Sequence, residues 1–228
     1  MSATGGANAA GAGNTAGPDR AAGAAGGGHP AGEATRFDAS YAATPPWDID
    51  EAQPAFLALA QSGQIRGRVL DIGCGTGEHA LMAADFGLAA VGIDAAPTAI
   101  AKAEVKAHDR GLRVQFVVGN ALDLTSFTDP LGQFDTVLDC GVYHVFDDDE
   151  RPRYVQSLAE LIRTGGRYFM LCFNEHQSGD WGPRRITQAE IRASFSHGWR
   201  VDSIERSRLV VTFQPDGVDA WLAAVTRT

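Results

Sequence analysis

The sequence predicts an α/β fold, with a doubly wound, mostly parallel sheet of seven strands and an antiparallel hairpin at one edge. Three observations support this prediction. From residue 68 onward, short apolar stretches alternate with helical patterns, which is typical of βαβ units. A glycine-rich turn follows the first apolar stretch. Two apolar stretches near the C-terminus are separated by only a short polar connection, which predicts a hairpin.

The elements are assigned in order from apolar periodicity, with proline in the first turn of a helix as a start signal. Strands are predicted at residues 68–72, 88–93, 114–118, 134–138, 167–173, 199–204 and 209–213. Helices are predicted at residues 52–61, 78–86, 97–109, 150–162, 187–195 and 217–226. The connection at residues 205–208 is predicted to be the turn of the edge hairpin.

The first 35 residues differ from the rest in composition. Residues 1–35 are mainly glycine and alanine and show no period of 2 or 3.6. Such a segment has little apolar surface to offset the entropy lost on ordering. We therefore expect a disordered tail at residues 1–35 and one folded domain at residues 36–228.

Composition limits the partners and the compartment. The formal net charge is -9, so the surface repels phosphate backbones and nucleic acid is not expected as a partner. No apolar run reaches the length of about 20 residues that a membrane span needs, so no membrane partner is expected. Cys74, Cys140 and Cys172 are widely spaced and odd in number, which favours reduced thiols in the cytoplasm. We expect a monomer or a weak homodimer.

The glycine-rich turn predicts a cofactor site. Residues 71–77 carry glycine at positions 73, 75 and 77, followed by Glu78, so the pattern is GxGxG and not the dinucleotide GxGxxG. Glycine allows a tight turn and close approach to a ligand, and the next helix begins with free N–H groups that receive a carboxylate. Asp94 ends the second strand, where an acidic side chain accepts hydrogen bonds from ribose hydroxyls. The combination fits S-adenosylmethionine (SAM) and disfavours a nicotinamide-dependent dehydrogenase.

These residues, with residues 119–122 and Asp139, resemble the successive motifs of class I SAM-dependent methyltransferases, which have a Rossmann-like fold. The resemblance covers most of residues 36–228 and implies SAM as the cofactor. It places Asn120 at the adenine position, where the family usually has aspartate; the carboxamide oxygen still accepts a hydrogen bond. The implied cofactor-binding residues are Trp47, Asp71, Gly73, Cys74, Gly75, Gly77, Asp94, Ala95, Asn120, Ala121, Leu122 and Asp139.

Three further segments, residues 41–48, 139–146 and 179–183, resemble small-molecule methyltransferases of the heterocyclic toxin, thiopurine and halide/thiol groups. The resemblance implies that Trp47 packs on the cofactor or caps the site, and that Tyr41 contacts the acceptor. Trp181 lies in a long polar connection after the fifth strand, where it would stack on an aromatic acceptor. Two structural alternatives stay open: a tight turn with a core tryptophan at Trp47, and a surface loop with a buried tryptophan at Trp181.

The loop after the fourth strand holds the candidate catalytic residues, because it should lie beside the methyl group. His144 is the candidate base, since an unperturbed imidazole accepts protons near neutral pH; alternatively, it makes only a structural hydrogen bond. Tyr143 would orient the acceptor or pack in the core. The acidic run at residues 147–150 precedes a helix, so we interpret it as a cap and expect no metal.

The sequence thus predicts a SAM-dependent methyltransferase acting on an O, N or S atom of a small heterocyclic or aromatic molecule of the hydroxyquinolone type. Detoxification follows from the resemblance alone. Methylation of thiols or halides is the alternative reaction. A protein that binds SAM without turnover is the alternative of another class.

Overall fold

The computed structural model describes Met1 and residues 30–228. Most of the predicted tail at residues 1–35 therefore lies outside the described residues. The first described helix, α1, spans Pro30–Ser40 and crosses the domain boundary predicted at residue 36.

The described elements follow the predicted order up to the fifth strand, with α1 and the two short helical segments between the third and fourth strands as additions that the sequence does not predict. The helices are α2 (Pro54–Gln61), α3 (Glu78–Asp85), α4 (Pro97–Asp109), α5 (Thr128–Leu131), α6 (Glu150–Leu161) and α7 (Gln188–Ser194), with 3₁₀ segments at Ala121–Phe127 and Tyr143–Val145. The strands are β1 (Arg68–Ile72), β2 (Ala89–Asp94), β3 (Val114–Val118), β4 (Phe134–Cys140), β5 (Ile162–Phe173), β6 (Trp199–Val211) and β7 (Gln214–Arg227).

The seven strands form one sheet in the order β3-β2-β1-β4-β5-β7-β6. The first five strands are parallel, whereas β7 runs antiparallel to both β5 and β6. The chain leaves β3 and returns to pair β4 with β1, so the strand order reverses between β1 and β4. Ligands of open α/β sheets bind at the carboxyl ends of the strands beside such a reversal, and this places the site.

Each face of the sheet carries its own hydrophobic core. One core packs α6 and α7 against the sheet through residues such as Tyr154, Leu158 and Ile191. The other packs α2 and α3 through residues such as Phe56 and Ala83. The central strands are therefore buried on both faces, as in a doubly wound sheet.

Two predictions at the C-terminus are wrong. The helix predicted at residues 217–226 is part of β7, which pairs with a strand on each side and has half of its residues buried. A strand buried on both faces shows no alternation, so its apolar run resembles a buried helix. The turn predicted at residues 205–208 is also wrong, because β6 continues through it to Val211. Those charged residues suit an edge strand, where they discourage pairing with other chains.

The segment before α2 is fixed to the edge of β6 by one side chain. The Gln53 amide nitrogen donates to the carbonyl of Val210 at 2.9 Å, and the Val210 N–H donates to the Gln53 amide oxygen at 2.8 Å. Gln53 therefore makes the pair of bonds that a neighbouring strand would make. Within the described part of the chain, no helix is long and apolar enough to cross a membrane.

Candidate active site

The turn after β1 brings the backbone close to its neighbours. Gly73, Gly75 and Gly77 have φ angles of +62°, +52° and +89°, a left-handed conformation that costs other residues about 1–2 kcal/mol. A Cβ atom on Gly73 would collide with the Val142 side chain, and one on Gly75 would lie 2.8 Å from the Tyr41 hydroxyl. Glycine is therefore required at both positions by backbone conformation and by space.

Two buried carboxylates lie beside this turn. Asp94 accepts the N–H of Gly75 and the N–H of Ala96, each at 2.8 Å, and burial raises its pKa. Each carboxylate oxygen has a second lone pair, so Asp94 can also accept from ribose hydroxyls. Asp71 accepts the N–H of Ala80 through Oδ2 at 3.2 Å.

The other oxygen of Asp71 is unusual. Asp71 Oδ1 is buried and has no hydrogen-bond partner among the described residues; Nδ1 of His79 lies 3.8 Å away. Burial raises the pKa of Asp71 well above its usual range, and the Asp94 and Asp139 charges act in the same direction. A buried carboxylate oxygen without a donor is costly, so this oxygen favours a ligand that supplies one.

The predicted adenine-binding residues follow β3. Gly119 donates its N–H to the Asp94 carbonyl at 2.9 Å, which holds this loop beside the end of β2. Asn120 is exposed and its Oδ1 accepts the N–H of Leu122 at 2.9 Å, capping the 3₁₀ segment. The carboxamide oxygen retains one lone pair for a ligand. Ala121 and Leu122 pack partly against the core.

Asp139 organises the loop after β4. Its carboxylate accepts from the hydroxyls of Tyr154 and Tyr168 at 2.7 and 2.6 Å, and from the backbone N–H groups of Val142 and Tyr143 at 2.8 and 3.2 Å. Burial raises the pKa of Asp139, and these bonds oppose that effect. The carboxylate thus accepts hydrogen bonds from the protein and shapes the loop, and its role in cofactor binding stays a prediction.

His144 is buried in the 3₁₀ segment Tyr143–Val145, which follows β4. Its Nδ1 accepts the backbone N–H of Phe173 at 3.0 Å, and the ring packs edge-on against the Phe173 ring with centroids 5.1 Å apart. Burial lowers the pKa of His144 to about 3; the cations of Arg185 and Arg151 also lower it, and a hydrogen bond with the Gly141 backbone raises it. The imidazole is therefore neutral at pH 7, and its one lone pair is already engaged.

Tyr143 packs among residues of α6 and α7. It is fully buried in the core with α6 and α7, and its hydroxyl is 2.7 Å from Ser194 Oγ. The Arg151 guanidinium lies 5.3 Å from the ring centroid. Of the two roles open in the sequence, this geometry favours packing over orientation of an acceptor.

The cap segment, residues 41–50, lies over the glycine turn. The Trp47 indole N–H donates to the Tyr41 hydroxyl at 3.0 Å, and Thr76 donates to Asp48 at 2.9 Å. Lys102 donates to the Tyr41 carbonyl at 2.7 Å. Tyr41 is thus held against Gly75, and Trp47, which is 38% exposed, covers it.

A strip of aromatic rings runs from His144 to the turn between β6 and β7. Phe173 contacts Trp181 with centroids 5.7 Å apart, and Trp181 contacts Phe213 with centroids 5.1 Å apart, both edge to face. We call His144, Phe173, Trp181 and Phe213 the aromatic wall. Trp181 and Phe213 are 38% and 44% exposed, so the outer part of the wall has free ring surface.

The aromatic wall and the cap segment meet. Thr212, next to Phe213, donates its N–H to the Pro46 carbonyl at 2.9 Å. The contacts therefore form a rim around the carboxyl ends of β1 and β4, from the glycine turn through Tyr41 and the cap segment to the aromatic wall.

Comparisons with known proteins identify the family. A family model described as a methyltransferase domain matches residues 69–166. A 2-heptyl-1-hydroxyquinolin-4(1H)-one methyltransferase of Mycobacteroides abscessus is 38% identical over 184 residues, which cover 76% of this chain and 80% of that protein. This chain is a SAM-dependent methyltransferase.

Two further similarities bear on the methyltransferase. A probable thiol methyltransferase 2 of Arabidopsis thaliana is 27% identical over 73% of this chain and 74% of that protein. A solved structure concerned with the conversion of a disulfide bond into a thioacetal group during echinomycin biosynthesis is 35% identical in sequence to this chain. It has a TM-score of 0.76 and covers 85% of this chain and 92% of that one.

The residues of the methyltransferase fit SAM. The glycine turn admits a ligand against the backbone, Asp71 Oδ1 lacks a donor, and Asp94 and Asn120 have acceptor capacity left. Cys74 lies within the turn, where its N–H donates to the Ile93 carbonyl at 3.0 Å, and Ala95 follows Asp94. No group of three or more metal-binding side chains occurs in the part of the chain that the structure describes.

Sequence reasoning missed two residues of the aromatic wall and one that supports it. The predicted strands at residues 167–173 and 209–213 include Phe173 and Phe213, but the patterns indicate no contact with an acceptor for either ring. Gln214-Pro215-Asp216-Gly217 has a typical turn composition and directly follows Phe213. These residues begin β7, beside the two-residue turn at 212–213, so they were the available signal for a turn in this region. Arg185, which packs behind the wall, carried no sequence signal.

Proposed function

We propose that the methyltransferase transfers a methyl group to an O, N or S atom of a small heterocyclic or aromatic acceptor of the hydroxyquinolone type. The aromatic wall carries this proposal, since its free ring surface, which meets the cap segment, suits a planar apolar acceptor. The hydroxyquinolone methyltransferase of M. abscessus, with 38% identity, supports the same acceptor class. Tyr41 and Trp181 are the proposed acceptor contacts.

The proposed chemistry needs alignment more than acid–base catalysis. SAM supplies a methyl group that is already activated as a sulfonium. Residues of the chain then hold the acceptor atom in line, which is the main source of rate in such a reaction. Trp47 and the rim would exclude water, and Asp94 would hold the ribose.

The titratable groups at the end of β4 either make hydrogen bonds to the protein or are buried with a raised pKa. The lone pair of His144 accepts from Phe173, and the Asp139 carboxylate accepts four hydrogen bonds from protein groups. Burial raises the pKa of the Cys140 thiol and of the Tyr143 hydroxyl. We therefore propose that His144 positions the loop, and that the acceptor arrives ionised or carries no proton at the reacting atom.

The test is formation of S-adenosylhomocysteine from SAM with a panel of hydroxyquinolones, phenols, small thiols and iodide. Phe213→Ala should raise the KM for a hydroxyquinolone by about tenfold, the lower range for losing a hydrophobic pocket contact. Phe86→Ala is the matched control, because Phe86 is also 44% exposed but lies at the end of α3. Wild-type enzyme that turns over no aromatic acceptor would refute the proposal.

Sulfur methylation is the second candidate. The similarity to a probable thiol methyltransferase and to a structure concerned with conversion of a disulfide into a thioacetal supports it. A thiolate also needs no base. Product from thiols with none from hydroxyquinolones would favour this candidate, and SAM binding without any product would favour a non-catalytic SAM-binding protein.

Detoxification of an aromatic compound is part of the proposal and rests on the resemblance to heterocyclic toxin methyltransferases. A cytoplasmic location is also proposed, supported by three cysteines that form no disulfide. Cells lacking the gene should become more sensitive to the acceptor that the panel identifies.

A further inference from the structure

The main-chain hydrogen bonds of the loop between β5 and α7 lie near its two ends, at residues 174–177 and at Ile186. Asn174 donates its N–H to the Asp219 carbonyl and its side-chain amide to the Ala220 carbonyl, each at 3.0 Å. Ile186 donates its N–H to the Phe173 carbonyl at 3.0 Å. Between these ends, Gly179 and Gly182 adopt left-handed φ angles of +82° and +76°. This middle part, which includes Trp181, therefore needs a constraint from elsewhere.

Arg185 supplies that constraint. Its Nε donates to the carbonyl of Gln177 at 3.3 Å, and its Nη1 donates to the carbonyls of Trp181 and Pro183 at 2.6 and 2.8 Å. Its Nη2 donates to the carbonyls of Ser178 and Gly179 at 3.2 and 2.9 Å. A guanidinium has five N–H donors, so the loop accepts a hydrogen bond from each of them.

The same guanidinium packs behind the aromatic wall. Its central carbon lies 5.6 Å from the Phe173 ring centroid and 5.8 Å from the Trp181 ring centroid. Arg185 thus touches Trp181 twice, at its carbonyl and at its ring. Lysine has three donors and no planar group, so it cannot reproduce both contacts.

We propose that Arg185 is a positioning residue that determines acceptor specificity, because it holds Trp181 in the aromatic wall. This inference rests on the proposed function. An aromatic acceptor uses the wall, whereas a small thiol reaches the methyl group without it. Loss of Arg185 therefore affects the two acceptor classes differently and leaves SAM binding unchanged.

The kinetic test compares Arg185→Ala and Arg185→Lys with the control Arg184→Ala. Arg184 is adjacent but pairs with Asp148 and Glu190 on the surface. In Arg185→Ala, the KM for a hydroxyquinolone should rise about tenfold or more, with the KM for a small thiol and the Kd for SAM unchanged. Arg185→Lys should recover only part of the loss. An unchanged hydroxyquinolone KM, or an equal loss for SAM and both acceptors, would overturn the inference.

A second measurement does not depend on turnover. In a Trp47→Phe background, Trp181 is the one exposed tryptophan among the described residues, since Trp199 and Trp221 are buried. Arg185→Ala should at least double the acrylamide quenching of its fluorescence, and Arg184→Ala should not. Unchanged quenching in Arg185→Ala would overturn the positioning role of Arg185, whatever the acceptor. A wild type that accepts no aromatic substrate would refute the proposed function, and the two failures are therefore distinguishable.

Discussion

Substitution of His144 separates a positioning role from an acid–base role. In His144→Ala, the buried N–H of Phe173 loses its acceptor, which costs about 1–3 kcal/mol, and the missing ring leaves space beside Phe173. We expect a total loss of about 3 kcal/mol. At about 2–4 °C per kcal/mol for a chain of this size, the melting temperature should fall by about 6–12 °C.

His144→Gln should behave differently, because the Gln amide oxygen can accept from Phe173. We expect a loss of about 1 kcal/mol in this variant. After correction for the folded fraction, kcat/KM should fall less than about tenfold in either variant, since removal of a true general base costs about 10²–10⁴-fold. The pH profile of kcat/KM should follow the ionisation of the acceptor and shift when the acceptor is changed.

The assay combines thermal melts with pH–rate profiles for two acceptors of different acidity. His108→Ala is the control, because the His108 side chain is 90% exposed. A kinetic pKa near 6.5 that does not depend on the acceptor would refute the reasoning, provided that it disappears in His144→Gln at a temperature where this variant is fully folded. His144 would then be the base.

The same residue makes folding sensitive to acid. Its pKa is about 3 in the folded chain and about 6.5 in the unfolded chain, so between these values the unfolded state binds the extra proton. Stability therefore falls as the pH drops from 6.5 toward 3, by about 2–3 kcal/mol at pH 4.5. His144→Gln should lack this part of the loss in urea titrations at pH 7 and 4.5; equal losses in both proteins would contradict it.

Two predictions concern the cofactor. Gly75→Ala should weaken SAM binding more than about tenfold, because the added Cβ would press on the Tyr41 hydroxyl and the backbone would be strained by about 1–2 kcal/mol. The control is Gly87→Ala, where φ is +78° and the space is open, so only the strain should appear. Equal SAM affinities of the two variants by calorimetry would disprove this prediction. Asp94→Asn should weaken SAM binding by about 10- to 100-fold, the scale of hydrogen bonds to a charged group. The control Glu104→Gln, at an exposed position of α4, should leave SAM binding unchanged. If Asp94→Asn bound SAM with wild-type affinity, Asp94 would not be part of the cofactor site.

Local patterns predicted the first five strands because each βαβ unit repeats the same physical requirement. An apolar strand must end at a turn, and an amphipathic helix must return the chain. β7 broke this pattern, since it is buried between β5 and β6 and its Ala-rich run has no period of 2. Pairing partners, which the sequence does not reveal locally, decided that it is a strand.

The site was predictable where function depends on backbone shape and less so where it depends on hydrogen-bond partners. Gly73 and Gly75 lie where the spacing placed them, because only glycine fits there. The partner of His144 is the N–H of Phe173, 29 positions further along the chain, and no motif encodes such a contact. Phe213 reaches the aromatic wall because it lies in the two-residue turn between β6 and β7, and the sequence predicts that turn elsewhere.

The contact between Gln53 and Val210 has a consequence for how molecules meet one another. β6 is an edge strand of 13 residues, long enough to serve as a template for a strand of another chain. Beyond the charged residues at 205–208, the Gln53 amide pairs with the N–H and the carbonyl of Val210. The edge of β6 therefore offers no uninterrupted row of free backbone groups. One side chain thereby fixes the segment before α2 in its own molecule and prevents a neighbouring molecule from extending the sheet at that point.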